Sequence, residues 1–600
     1  MPYAYEFFSD LGFLPRMAMV DLTGGAHTFS IMAANGQLWF QYLVLVVAFV
    51  VGLLLMVGWR TRLMTILGFL LVISFDGRNP MVSSGADLLM RMTFLWAIFL
   101  PLGRVFSLDR VINPLTKTEL ESLARGHFSA ASIAMLVQVC LVYISTVYHK
   151  DQPVWREEFT ALYYALALDD FRLPLGDIIF RHWDLMRGLN ILTLIFEFTA
   201  PLLLLCPFFN RITRMLGVLV LWSLHLGFGS MLWVGMFPFI GITSAAALMP
   251  ARFYTFIGGI LTNIFTPSYQ QMTVYFDKDC GLCQRFVRFC EHVIFPQNAT
   301  FTPLPHTGEL RELSGSMDSW VGEIDGKIVF RSAVFIKLLR QSCIFKPLGL
   351  LLDNKLVKFI SDIIYKIISK RRLQICTIAP KVNDKKPFIP RWIRLVGLAI
   401  VNIFVLLNIS VAGFWVYEGL VEDVKKPRWV TKYAKNMRLD QSWNMFSPPP
   451  KQDGWYIIRA TLNNNTIVDA WREKWTEGED MTLSYDKPES VVRSFIAPRW
   501  HKYLRNMANS KHKAHRLWFG KYMCRQWNER YDDPAMKLWQ FDILYMQEKT
   551  RPYWDYGEPK EIQLSHHECS SNRTGGYDPG NGVFPEALGD AEEATKEEDK

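Results

Sequence analysis

Cysteine is sparse in this 600-residue chain, nine in all, an odd number that leaves at least one unpaired within the chain. That count excludes a small disulfide scaffold. Charge is also scarce, at 20 % of residues against 50 % apolar, so a disordered chain is excluded as well. The start, MPYAYEFFSDLGFLPR, lacks the basic stretch and apolar run of a secretory signal and is expected to be a loop or interfacial segment. What the chain has in quantity is large apolar surface: 42 Phe, 24 Met and 20 Trp. These suit either large cores or lipid-facing helices. The net charge of +9 fits nucleic acid or basic loops beside a membrane, and its distribution must decide.

The distribution favours a membrane. Residues 38–58, LWFQYLVLVVAFVVGLLLMVG, carry no charge. As a helix they span roughly 30 Å, the hydrocarbon thickness of a bilayer. A buried helix of a soluble core is the alternative, and it weakens because the pattern recurs at 61–75, 88–102, 130–148, 189–208, 215–239, 240–249 and 395–416. Seven or eight spans are expected. Basic residues at 59–62, 104–125 and 210–214 mark one side as cytoplasmic, leaving 76–87 and 148–187 on the other. Inside the apolar runs, Glu197 and His225 are costly in lipid and are expected to face the bundle interior, in a structural or a catalytic role. Asp87 and Arg91, four apart, are expected to pair on one helix face.

Three segments carry a family likeness: GWRTR running on to FDGRNPMVSSGADLLMR, QVCLVYISTVYHKDQPVWREEFTALYYAL, and LWSLHLGFGSMLWVGMFPFI. Together, over about 7–250, they resemble the HTTM domain, the membrane fold shared with vitamin K-dependent gamma-carboxylases. The resemblance implies a lysine base for quinol oxygenation at Lys150, with His149 before it and Trp155 after it, and implies a role for His225. A lysine desolvated at a helix end can lose charge and act as a base. A lysine reaching to the bilayer surface is the plain alternative. The family's first transmembrane helix is missing ahead of FFSDLGFLPR.

After residue 268 the composition changes. QQMTVYFDKDCGLCQRFVRFCEHVIF reads as a strand at 272–276, a turn, then Cys280-Gly-Leu-Cys283 opening a helix. This is the setting of a redox dithiol: amides at the helix start favour a thiolate on the first cysteine, and the second resolves the mixed disulfide. On that basis Cys280 is expected to be the exposed, reactive thiol and Cys283 its buried partner. A structural zinc site using the nearby Cys290 and His292 is the alternative, along with a reduced pair of no redox role; no bound metal is expected. Cys343 is a candidate third thiol. The stretch 273–372 resembles the DCC family of thiol-disulfide oxidoreductase-like proteins. The acid of that motif is Asp279, whose charge Arg285 is placed to offset.

A basic linker, KVNDKKPFIPRWIR, precedes the 395–416 span and suits a cytoplasmic surface. Beyond it, DGWYIIRATL and TIVDAW, separated by NNN, read as a hairpin with an aromatic core of Trp443, Trp455 and Trp471. QSWNMFSPPP before it resembles the region that follows the membrane part of HTTM chains. The stretch 491–545 is basic and aromatic, but Trp518, Tyr522 and Trp527 recur at helical spacing as a packed face, so nucleic acid is not expected as a partner.

The expected architecture is a multi-pass α-helical membrane bundle (1–265) with an inserted thioredoxin-like α/β domain (270–375). A linker (376–394), a transmembrane helix (395–416), a C-terminal α+β soluble module (417–553) and an acidic disordered tail (554–600) follow. The chain is expected to be an oxidoreductase of the inner or plasma membrane. It would join a cytoplasmic dithiol to a lipid-soluble substrate, a quinone or quinol, and would use a thiol redox partner. The C-terminal module would cover the Lys150 side on the opposite face. A non-enzymatic assembly, immunity or scaffold protein that docks through its thioredoxin-like domain is the competing reading.

Overall fold

The computed structural model describes residues 3–569 except 23–28, 114, 116–118, 120–126, 266–270, 279, 306–308, 311, 313, 315–319, 343, 355–356, 364–389, 422–423 and 473–480. The expectations for Asp279, Cys343, most of the basic linker and most of the tail therefore lie outside the described residues.

Among the described residues five helices are long and apolar enough to cross a membrane: Leu38–Met56, Ala130–His149, Trp183–Leu205, Asn210–Met231 and Trp392–Leu420. A sixth crossing is available only as a bent pair, Phe237–Ala246 and Ala251–Phe265, which turn through 102° about a break that contains Pro250. Proline removes the amide that would continue the helix, so the break falls there. Against the seven or eight spans expected, five helices among the described residues, or six with the bent pair, reach that length and apolarity. The run at 61–75 lies in a helix, Thr61–Arg78, whose 18 residues carry Arg62, Asp76 and Arg78. The run at 88–102 gives only the 13-residue helix Gly85–Ala97, about 20 Å long. The Ala130–His149 helix is central: 61 % of its apolar stretch is buried, against 17–28 % for the other four. The rest of those surfaces is apolar and open, as a lipid-facing helix requires.

The expected Asp87–Arg91 pair does not form. Asp87 occupies the third position of its helix and turns back to its start, where it accepts from Ser84 N (2.8 Å) and Ser84 Oγ (2.9 Å). Its other oxygen meets Arg499 Nη2 at 3.0 Å. Arg91 instead faces Asp76 (3.5 Å) and Asp440 (3.6 Å). The unfilled amides at a helix start are the stronger local attraction for a carboxylate.

Two four-stranded sheets follow. The first contains β1 (Met272–Phe276), β2 (Ala299–Pro303), β3 (Val321–Ile324) and β4 (Lys327–Phe330) in the order β2-β1-β3-β4. β1 and β2 are parallel and the other pairs antiparallel. The parallel pair needs a crossover, and the helix Gly281–Phe289 supplies it. The second sheet contains β5 (Gln452–Leu462), β6 (Ile467–Asp469), β7 (Leu538–Lys549) and β8 (Lys560–Glu568), all antiparallel, in the order β6-β5-β7-β8. β5 and β6 form the hairpin read from the sequence, with Asn463–Asn465 in its turn. Trp455 and Trp471 are buried beside it, but Trp443 is not in that cluster. Trp443 packs among the apolar helices, held by Gln441 Oε1 at 2.8 Å, because the 438–443 strap runs back along the bundle before β5 starts.

The helices Pro498–Ala508 and Ala514–Arg530 cover the second sheet, and a disulfide between Cys524 and Cys569 ties the latter to the end of β8. The amino-terminal segment joins the same core. Phe13 lies 3.8 Å from Tyr503 between ring centres, and Phe7 and Phe13 each lie 5.3 Å from Trp500. Arg78, fully buried, donates to Leu14 O (2.8 Å) and Asn79 donates to Phe7 O (2.9 Å), which pins this segment to the helical part.

The Cys524–Cys569 bond closes a separation of 45 residues. Loop-closure entropy for that length gives about 4 kcal/mol of stabilisation. Replacing both cysteines with serine is expected to lower the stability of the C-terminal module by about 2–4 kcal/mol. Thermal unfolding followed by near-ultraviolet circular dichroism checks this, and a reductant should reproduce the loss in the wild type alone.

Candidate functional site

The strand-to-helix junction after β1 positions the first candidate group. Cys280 is extended (φ −92°, ψ 114°) and caps the Gly281–Phe289 helix, its carbonyl accepting from Gln284 N at 3.1 Å. Cys283 follows one turn on. Both are buried, at 5 % and 3 % exposure, among Met272, Val274, Val287 and Leu338. The two cysteines are not joined to each other: Cys280 is disulfide-bonded, while Cys283 is free. Cys280, expected to be the more exposed of the two, is as buried as Cys283, and its disulfide is not with Cys283. The extended cap turns the Cys280 side chain toward the sheet core, and the apolar face of the helix carries Cys283 to the same core. Arg285 lies half-buried on this helix.

Cys290 is fully buried, and burial pushes its thiol up. His292 is brought down to about 4 by burial, with Arg110 and Arg288 adding to the shift. Among the described residues no three His, Cys, Asp or Glu side chains converge as metal ligands.

Residues 274–377 match the DCC1-like thiol-disulfide oxidoreductase family. This DCC1-like segment contains Cys280, Cys283, both central strands and the crossover helix. Its match does not reach the 7–250 stretch. No curated protein and no solved structure matches the chain.

The second candidate group lies within the helical part. Lys150 caps the central helix and is 2 % exposed. Its Nζ donates to both carboxylate oxygens of Glu197, at 2.6 and 2.5 Å, and sits 4.3 Å from the ring centre of Trp155. Glu197, on Trp183–Leu205, is equally buried. Two turns back on the central helix, Tyr143 Oη lies 2.7 Å from His225 Nε2. Gly241 presses against that imidazole: a Cβ there would stand 2.1 Å from the ring. Three helices thus contribute to one buried polar row of Tyr143, His225, Lys150 and Glu197. His149 points elsewhere, half-exposed, its carbonyl accepting from Gln152. Sequence reading passed over Tyr143, although seven residues separate it from Lys150 and two helical turns place both on one face.

A third polar cluster, also not singled out from the sequence, lies between the 161–172 segment and the C-terminal sheet. Asp170 accepts from His501 Nε2 (2.9 Å) and Arg505 Nη1 (2.6 Å). Burial alone would raise its pKa, but Arg505 and His501 outweigh it and hold Asp170 low. Asp453, at the start of β5, accepts from Asp169 N at 2.6 Å. Burial, with Asp170 and Asp169 adding like charge, pushes its carboxyl up to about 8 against the pull of Lys487. More than 280 positions separate Asp169 from Asp453, so no local spacing could have shown the cluster.

Two measurements check these assignments. Lys150→Met is expected to cost about 3–5 kcal/mol, because it strands a buried carboxylate. The double variant Lys150→Met with Glu197→Met should cost clearly less than the sum of the singles, read by thermal unfolding in detergent. For Asp453 the folded carboxyl keeps its proton to about pH 8, whereas an unfolded aspartate loses it near pH 4. Its stabilising contribution therefore falls as pH rises across that window. Asp170, held low, stabilises fully above about pH 4 and loses that contribution as pH falls below it. Asp453→Asn keeps the acceptor for Asp169 N, so its melting temperature should gain on the wild type from pH 5 to pH 9.

Proposed function

We propose that this chain is a membrane-bound thiol–disulfide oxidoreductase in which Cys280 exchanges electrons and the buried polar row handles protons for a lipid-soluble substrate. The observation that carries the thiol part is Cys280 itself: a disulfide-bonded cysteine at a strand-to-helix junction inside a DCC1-like segment. The β2-β1-β3-β4 order around one crossover helix supports a thioredoxin-like domain. The apolar, outward-facing helices support the membrane. A quinone or quinol as the substrate and Lys150 as the base are proposed from the HTTM resemblance of 7–250 alone. A quinol gives two electrons and two protons, and a disulfide takes two of each to become a dithiol, so the exchange balances. Glu197 would take up the proton that Lys150 must shed before it can act.

The cytoplasmic side is proposed for the DCC1-like segment and the opposite side for the C-terminal module, since a single apolar helix, Trp392–Leu420, separates them. A closed Cys524–Cys569 bond suits an oxidising compartment for the latter.

The scaffold reading keeps support from one observation: Glu197 closes on the Lys150 ammonium, which is how a structural pair is built.

The test uses the full chain in detergent. Cys280→Ser is expected to abolish exchange with a small-molecule disulfide after reduction, and Cys283→Ser to trap a mixed disulfide on Cys280, detected by intact mass. Reduced quinone added to the oxidised wild type should raise its free-thiol count. Exchange that survives Cys280→Ser would return the segment to docking, and an unchanged thiol count would remove the quinone.

A further inference from the structure

We infer a binding site for an anionic amphiphile, a carboxylate or phosphate head on an apolar chain, where the amino-terminal segment meets the Pro498–Ala508 helix. The site is a cavity of about 330 Å³, within the range of small-molecule pockets. One wall is apolar, made by Leu14, Met19 and Met81. The other carries Lys502, His512 and His515. No carboxylate lines it. Asn506, one turn beyond Lys502, donates to Met81 O at 2.8 Å and holds the two walls together.

The three basic groups have no counter-charge. Among the described residues none of them makes an ion pair with a carboxylate. The groups that act on them are cations: Arg505 on Lys502, Lys502 and Lys511 on His512, and His512 on His515. His512 and His515 stack edge to face with ring centres 5.7 Å apart, and His515 Nδ1 is buried with no hydrogen-bond partner. Burial brings His515 down to about 4, with His512 adding to the shift. Folding has therefore gathered one lysine and two imidazoles around an open space that, among the described residues, no carboxylate lines. An anion supplies the missing partner, and the wall of Leu14, Met19 and Met81 takes up a chain that a bare anion lacks. The amphiphile could be a membrane lipid or a free fatty acid, and both present the same chemistry to these residues.

The full chain in detergent micelles is titrated with oleate, oleyl alcohol, phosphatidate and inorganic phosphate, in competition with a fluorescent fatty acid. Oleate is expected to saturate at one per chain. Oleyl alcohol should not displace the probe, and phosphate should compete only weakly. Displacement by phosphatidate but not by oleate would assign the site to lipid, and the reverse to free fatty acid. Lys502→Met should weaken binding about tenfold or more, since it removes a charge-assisted contact. His512→Gln, a milder change, should weaken it and flatten the gain in affinity on going from pH 8 to pH 5. The inference is overturned if no anionic amphiphile binds, if phosphate alone binds as tightly as oleate, or if both folded variants bind like the wild type.

Discussion

Lys150 and Glu197 are opposite charges held 2.5 Å apart where two apolar helices meet, and neither could be buried there without the other. The pair fixes the end of the central helix against Trp183–Leu205 and sets the height of everything that follows it. Arg156 donates to Lys150 O at 2.8 Å, which folds the chain sharply beyond the helix. Asn190, two turns before Glu197, donates to Trp155 O and accepts from Leu162 N, so the next two short segments are hung from the same helix. Trp155 then reaches across to Phe446 O at 2.9 Å and joins the strap that leads to β5. One ion pair therefore orients the apolar helices, the connecting segments and the approach to the C-terminal sheet.

The chemistry on either side of that pair differs in kind. Within the helices the polar groups of this row are buried and paired: Tyr143 with His225, Lys150 with Glu197. Such an arrangement holds protons in place and favours a single geometry. Near the C-terminal sheet the balance is uneven. Asp453 keeps its proton beside Asp169 and Asp170, and among the described residues no acid lines the cavity that Lys502, His512 and His515 share. Unevenly distributed charge is a response element, because a proton or an anion changes its energy, whereas a closed pair is indifferent to both.

Much of the local structure was legible in the sequence. The strand at 272–276, the helix opening at Cys280, the NNN hairpin and the five long apolar helices follow from apolar periodicity and turn residues. The errors came where length and charge decide. Thr61–Arg78 is apolar enough to suggest a span, but it carries three charged side chains, and one of them, Arg78, ties it to the amino-terminal segment. Asp87 prefers the start of its own helix to Arg91 because cap amides outcompete a side chain one turn away. Cys280 was read as exposed from its motif, yet the direction of its side chain depends on which sheet face the crossover helix covers, and that is a property of the tertiary fold. The Asp170–His501 and Asp169–Asp453 contacts join residues hundreds of positions apart, and nothing local encodes them.

The packing of Phe7 and Phe13 against Trp500 and Tyr503 also bears on how the protein is made. The first aromatic residues of the chain belong to a core whose other half is synthesised last. At 5–20 residues per second, roughly 25–100 s pass between the appearance of Phe13 and that of Trp500. Throughout that interval the amino-terminal rings lack the C-terminal half of their core. Assembly of this protein is thus ordered from the middle outward, with its beginning kept waiting for its end.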